Sequence, residues 1–211
     1  MNKNSFQINN LKTLLMKTTK AILPLLLLSF LFIGFIQSDV KINGWFQAGS
    51  APDNYTSGID INTNKSGHKS AFTESKGEVS EGFSTIMQYC DAKNYLGTKI
   101  KMTGYLKSQN VKDWSGMWLR IDSKTQGETL GFDNMQDRPV TGTSDWTKCE
   151  IIMDVPEESM TLNYGFLLSG SGKIWFDNVS FEILNNATPK IIKDRIVLPV
   201  PEKPANLDFE E

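Results

Sequence analysis

The chain has 211 residues, with 22 Lys and Arg against 24 Asp and Glu, a formal net charge of −2, and one histidine. Residues 1–38 hold four lysines and no acid, so the remainder carries 18 basic against 24 acidic side chains, a net charge of −6. That balance lacks the basic footprint of a nucleic-acid binder, and no helix-turn-helix pattern is present.

Taken from its start, the chain opens with Lys3, Lys12, Lys17 and Lys20 and then the apolar run AILPLLLLSFLFIGFI over 21–36. A basic stretch followed by an apolar stretch of this length reads as a secretory signal, with Met16 as an alternative start. The run is short for a spanning helix, which needs roughly 20 residues. Two outcomes stay open, a cleaved signal and an uncleaved N-terminal membrane anchor. Both predict an exported protein, secreted or attached to the membrane by residues 1–38. No cysteine ends the run, which argues against a lipoprotein anchor.

Residues 39–184 predict one all-β domain. Short apolar alternations are separated by Gly, Asn, Ser and Asp clusters, and no long helical period occurs. Residues 43–69 are polar and Gly-rich, anchored by Trp45, Phe46, Tyr55, Ile59 and Ile61. Strands are expected over 84–91 and 99–108; in the second, Ile100, Met102 and Leu106 oppose Lys99, Lys101, Tyr105 and Lys107. In 116–122, Met117, Leu119 and Ile121 oppose Trp118, Arg120 and Asp122. Leu130 and Phe132 begin the strand before FDNMQ.

The last three strands are the clearest. In 147–155, Cys149, Ile151, Met153 and Val155 share one side, and only Ile152 breaks the alternation. Pro156 cannot donate to a ladder and ends that strand. Leu162, Tyr164, Phe166 and Leu168 alternate next, and Ser-Gly-Ser-Gly at 169–172 makes a turn. Ile174 and Phe176 share a face, but Val179, Phe181 and Ile183 follow one residue out of phase. A slip at Asp177-Asn178 predicts a bulge or kink. Residues 185–211 contain Pro189, Pro199, Pro201 and Pro204, and a strand-like run over 195–200. This tail reads either as a linker or remnant of another domain, or as an edge strand folded back on Leu207 and Phe209.

The Trp-led strand WTKCEIIMDVPE and the closing IWFDNVSFE resemble the end of galactose-binding-like carbohydrate-binding-module jelly rolls. GWF at 44–46, SGHKSAF at 66–72, MQYCDAKNYLGTKIKMTGYLKS at 87–108 and GMWLRID at 116–122 fit in the same order. The combination LGFDNMQDRPVTGTSDWTKCEIIMDVPE looks like the version attached to bacterial AraC-type regulators and some secreted hydrolases. The resemblance implies a jelly-roll β-sandwich and a non-catalytic binding module for carbohydrate. It also implies that a structural calcium is possible, with Asp177 as a candidate ligand or, more simply, a hydrogen-bond acceptor. NLDFE near the C-terminus resembles the opening strand of such domains.

Chemistry beyond binding is hard to assemble. His68 lies in a polar turn and would have to serve any triad alone. Glu157, Glu158 and Asp60 read as solvated loop charges, and no Cys–His cluster offers a zinc site. No catalytic residue and no metal ligand set is therefore expected. Cys90 and Cys149 are open to pairing as a disulfide or to burial as free thiols. A sugar site needs aromatic rings to stack on and a few placed polar groups. Trp118, Arg120 and Tyr105 point away from the core face of their strands and are the candidates, with Gln88, Asp133 and Asn134 as added hydrogen-bonding groups. Trp118 is equally open to being core of a second sheet. The alternative function is an envelope interaction or structural domain, related to regulator-linked sensor domains and without a sugar site.

Overall fold

The computed structural model describes residues 38–125, 127–184, 187–193 and 199–211. The expected signal or anchor segment, apart from Ser38, and most of the 195–200 run lie outside the described residues. The described part is built almost entirely of strands: β1 (Ser38–Ile42), β2 (Trp45–Gly49), β3 (Tyr55–Asp60), β4 (Ser70–Ser75), β5 (Phe83–Asp91), β6 (Thr98–Ser123), β7 (Thr129–Asp133), β8 (Val140–Val155), β9 (Ser159–Ser169) and β10 (Lys173–Ile183).

All pairings are antiparallel, and the hydrogen-bonded order is β1-β2-β5-β9-β6-β10-β4-β3, with β7 and β8 also on β6. Two layers follow from this order, and β6 belongs to both. Residues 98–108 pair with β8 and β10, and residues 114–123 pair with β9 and β7. The two strands expected over 99–108 and 116–122 are thus one 26-residue strand that changes layer. Its pairing with β8 shifts register three times between Leu106 and Ser115, and Asn110 adopts φ 54° there, as bulged strands do at sandwich corners. The fold is a jelly-roll β-sandwich.

The alternating apolar sets meet between the layers. Ile86, Ile100, Met102, Leu106, Met117, Leu119, Ile121, Tyr164, Phe166 and Phe176 are all fully buried. Phe166 and Phe176 stack across the core with centroids 4.5 Å apart. Gly104 explains the gap in the apolar series of its strand: a Cβ there would stand 2.9 Å from the Phe166 ring. Ile61, by contrast, is 69% exposed and anchors nothing. The slip at Asp177-Asn178 is a true bulge: pairing with β6 shifts between Asp177 and Ser180, and Asn178 has φ 53°. Asp177 is fully buried and accepts hydrogen bonds from the N–H groups of Lys65, Ser66 and Asn178.

Cys90 and Cys149 are buried free thiols. Burial pushes Cys90 up to about 12 and Cys149 up to about 11. Neither is expected to react with a thiol reagent at neutral pH until the protein unfolds, when two equivalents should be taken up; rapid labelling of native protein would contradict this packing.

The tail is ordered over 199–211, but it is not an edge strand. Phe209 is fully buried against Trp45 and Phe176, with centroids 5.1 and 5.3 Å away. The Glu210 carboxylate accepts from the N–H groups of His68 (2.7 Å) and Lys69 (3.0 Å). These bonds, His68 first, hold Glu210 below the ordinary glutamate value of 4.5. A depressed carboxylate stabilises the fold above its unfolded value and loses that contribution as pH falls through the folded one. Glu210→Gln should therefore lower the melting temperature at pH 7, and the gap to the parent should close below about pH 4.5. Asp177 shifts the opposite way, raised by burial. The Glu210 charge adds to that rise, so Glu210→Gln also relaxes Asp177; a gap unchanged down to pH 3 would refute the assignment.

Candidate functional site

Each layer has an outer face, and their chemistries differ. The face of β8, the first half of β6, β10, β4 and β3 carries ion pairs, four between strands and one, Lys148–Glu150, along β8. Lys99 meets Asp154, Lys101 meets Glu182, Lys107 meets Asp145, Lys148 meets Glu150 and Lys173 meets Glu74, all within 3.1 Å. The Lys173 ammonium also lies over the Phe72 and Trp175 rings, and Lys65 lies over Tyr105. Tyr105 therefore belongs to this charged face, on the opposite side of the sandwich from Trp118 and Arg120. Its strand changes layer between them, which strand alternation alone does not report.

The other outer face spans β2, β5, β9, the second half of β6 and β7. Residues directly opposite in antiparallel strands point to the same face. The pairs Tyr89–Asn163, Asn163–Arg120 and Arg120–Phe132 thus line up as one row over four strands. Phe46, Met87, Gly165 and Trp118 form the next row. Below it, Ala48, Met87, Trp118 and Leu167 are buried as a second apolar cluster, with Phe46, Phe83 and Trp114 half-buried around them.

Trp118 is on this face but is not an exposed platform. Only 7% of it is accessible, and its indole N–H donates to Thr85 Oγ1 at 2.7 Å. The ring reaches Thr85 across β9, where its direct partner Gly165 has no side chain to block it. A Cβ on Gly165 would stand 2.2 Å from the Ile86 carbonyl oxygen, so no larger residue fits.

The polar groups of the row converge on one carboxylate. Arg120 Nε (3.2 Å) and Nη2 (2.9 Å) donate to Asp122 Oδ2, which also accepts from Asn163 Nδ2 at 2.9 Å. The pair is partly shielded, with side-chain exposures of 18% and 27%. The guanidinium plane is fixed by this fork, leaving Nη1 without a hydrogen-bond partner among the described residues. Aromatic rings bracket the polar centre. Phe46 packs edge-on to Tyr89 at 5.7 Å on one side, and Phe132 is 52% exposed on the other.

Two further expected site residues lie at the end of β7, where Asp133 is opposite the core residue Leu119 and so on the inner side of its strand. Asp133 Oδ1 and Asn134 Oδ1 accept from the N–H groups of Met135 and Gln136, and Asp133 Oδ2 pairs with Arg138 at 2.7 Å. With Phe132, Ile152 and Met153 these residues line an open groove of about 720 Å³ beside β7. Ile152, which broke the alternation of its strand, is 55% exposed in that groove. Gln88 is a correction: it points into the core side, where Tyr164 OH donates to its Oε1 and its amide grips Ala205. An inward Gln in an apolar strand must be satisfied by the protein itself. Strand alternation alone does not single out Tyr89, Asn163 and Phe132 as site residues. The parity opposite to Leu162, Tyr164 and Phe166 marks Asn163 as outward, but only the pairing of strands brings it beside Arg120.

Among the described residues no three His, Cys, Asp or Glu side chains converge on a point where a metal ion could sit. Asp177 and Glu210, the carboxylates at the 65–69 loop, are satisfied by backbone N–H groups.

No family model matches the chain. Its backbone superposes on the CBM22-1 xylan-binding domain of Paenibacillus barcinonensis Xyn10C with a TM-score of 0.50 and 15% identity, over 71% of this chain and 91% of that one. The fold is that of a carbohydrate-binding-module jelly roll. A second xylan-binding domain from CBM 22 (TM-score 0.50, 10% identity, 74% of this chain and 99% of that one) and a family 16 carbohydrate-binding module (0.50, 14%, 67% and 92%) share it. At these identities the likeness is one of fold. In sequence, the chain is 36% identical over 174 residues to the uncharacterized HTH-type transcriptional regulator YbfP of Bacillus subtilis (strain 168). That match takes in 81% of this chain, which spans 58% of the length of YbfP.

Proposed function

We propose that this jelly roll is an exported, non-catalytic module that binds carbohydrate on the β2-β5-β9-β6-β7 face. The observation that carries the reading is the row Tyr89, Asn163, Arg120 and Phe132. It sets a fixed guanidinium and an amide between aromatic rings, the combination that stacks on sugar faces and fixes their hydroxyls. The xylan-binding and family 16 modules that share the fold support a glycan as ligand. The net charge of −6 beyond residue 38 disfavours nucleic acid, and the segment over 1–38 supports export, secreted or membrane-attached.

One observation favours a second reading. The 36% identity to a transcriptional regulator, with Trp118 buried, fits a sensor or interaction domain in which the same face meets a protein or a small effector. Affinity electrophoresis of the protein through a panel of soluble polysaccharides separates the two. Retardation by one glycan, lost in Phe132→Ala, supports the binding module. No retardation by any glycan rejects it, and a pull-down for envelope proteins is then the next step.

A further inference from the structure

Residues 201–211 are gripped largely through their backbone. Asp91 N–H donates to the Pro201 carbonyl, and Val179 N–H, freed by the β10 bulge, donates to the Leu207 carbonyl. The Gln88 amide bonds both the N–H and the carbonyl of Ala205 at 2.9 Å, and the Trp45 indole donates to the Asn206 carbonyl at 2.9 Å. Two side chains then specify the segment: Phe209 fills the Trp45–Phe176 pocket and Glu210 caps the 68–69 N–H pair. Asn206 and Phe209 are held at φ 46° and 59°, the left-handed region that a phenylalanine enters only when its surroundings dictate it. Main-chain bonds that give affinity, with side-chain pockets that give specificity, are a recurring way in which domains bind peptides. Ahead of this segment, Ile191 is 92% exposed.

We propose that the slot between β2, β5 and β10 is a peptide-binding site, filled in cis by residues 201–211 and able to accept the same segment from a second copy of the chain. Its ligand is a turned segment with an aromatic residue followed by an acid, as in Asp208-Phe209-Glu210. Exchange of that segment joins two copies without any new interface, the low-cost route to a swapped dimer.

The test begins from the folded full chain with a specific protease site inserted between residues 193 and 199. After cleavage, the tail fragment should co-elute with the domain and be displaced by excess fluorescent peptide of sequence 199–211. The same peptide carrying Phe209→Ala should compete on the order of 100-fold more weakly. Loss of the fragment from a domain that keeps its melting temperature would overturn the proposal. So would precipitation on cleavage, which would make the tail part of the folding core, or a retained fragment that no peptide displaces. Equal competition by the Phe209→Ala peptide would also reject it.

Discussion

Phe209→Ala should cost about 3–5 kcal/mol, the range for truncating a buried aromatic, and lower the melting temperature by roughly 10 °C. The ring is fully buried between Trp45 and Phe176, so its loss leaves a cavity lined by two aromatic faces. The effect should exceed that of one side chain alone. Phe209 anchors a segment whose carbonyls satisfy the Trp45 indole and Val179 N–H and whose carboxylate caps the 68–69 turn. If the segment lifts away, buried donors lose their partners, each costing about 1–3 kcal/mol unless water replaces them. Leu207→Ala, at a half-buried position, is the control and should cost less. Urea and thermal unfolding read both variants. A shift below about 2 °C for Phe209→Ala would mean that the tail does not contribute to the fold as its contacts indicate.

The second large effect concerns binding. Phe132→Ala should abolish retardation by a glycan ligand, weakening binding by at least about tenfold, while leaving the melting temperature within about 1 °C. The ring is 52% exposed, so truncation leaves no cavity, yet it ends the row that runs through Arg120. Arg120→Ala is a less clean probe. It strands the partly shielded Asp122 carboxylate, which among the described residues retains Asn163 Nδ2 and Thr129 Oγ1 as partners. Asp122→Asn beside it separates loss of the guanidinium from loss of the pair. Trp118→Ala is the wrong mutant for this question. It removes a buried ring and the partner of Thr85 Oγ1, so instability would follow whether or not a sugar binds. Unchanged affinity in Phe132→Ala would move the site away from this face.

The fold was largely legible because strand alternation is a local period. It assigned Met117, Leu119 and Ile121 to the core and Trp118 and Arg120 to the outside, and the phase slip at 177–178 located the β10 bulge. The site was legible only in part. Of the six residues expected there, Trp118 and Arg120 share the face, while Asp133 and Asn134 lie at the end of β7 beside the groove. Tyr105 lies on the far face and Gln88 within the core. Period two says which side of its own strand a residue occupies. It does not say which strands are neighbours or that β6 changes layer between Tyr105 and Trp118.

By itself, then, the sequence determined an all-β sandwich, the inward and outward sets of its strands, and a net charge of −6 beyond residue 38. Only the tertiary structure decided that Trp118 is buried and that one outer face carries lysine–carboxylate pairs. It also decided that Tyr89, Asn163, Arg120 and Phe132 form a single row, and that Phe209 closes the core. These depend on cross-strand register and on contacts between residues more than a hundred positions apart, such as Trp45 with Asn206. No local pattern of side chains encodes such pairings, because they are set by which arrangement of whole strands buries the most apolar surface while satisfying every backbone group.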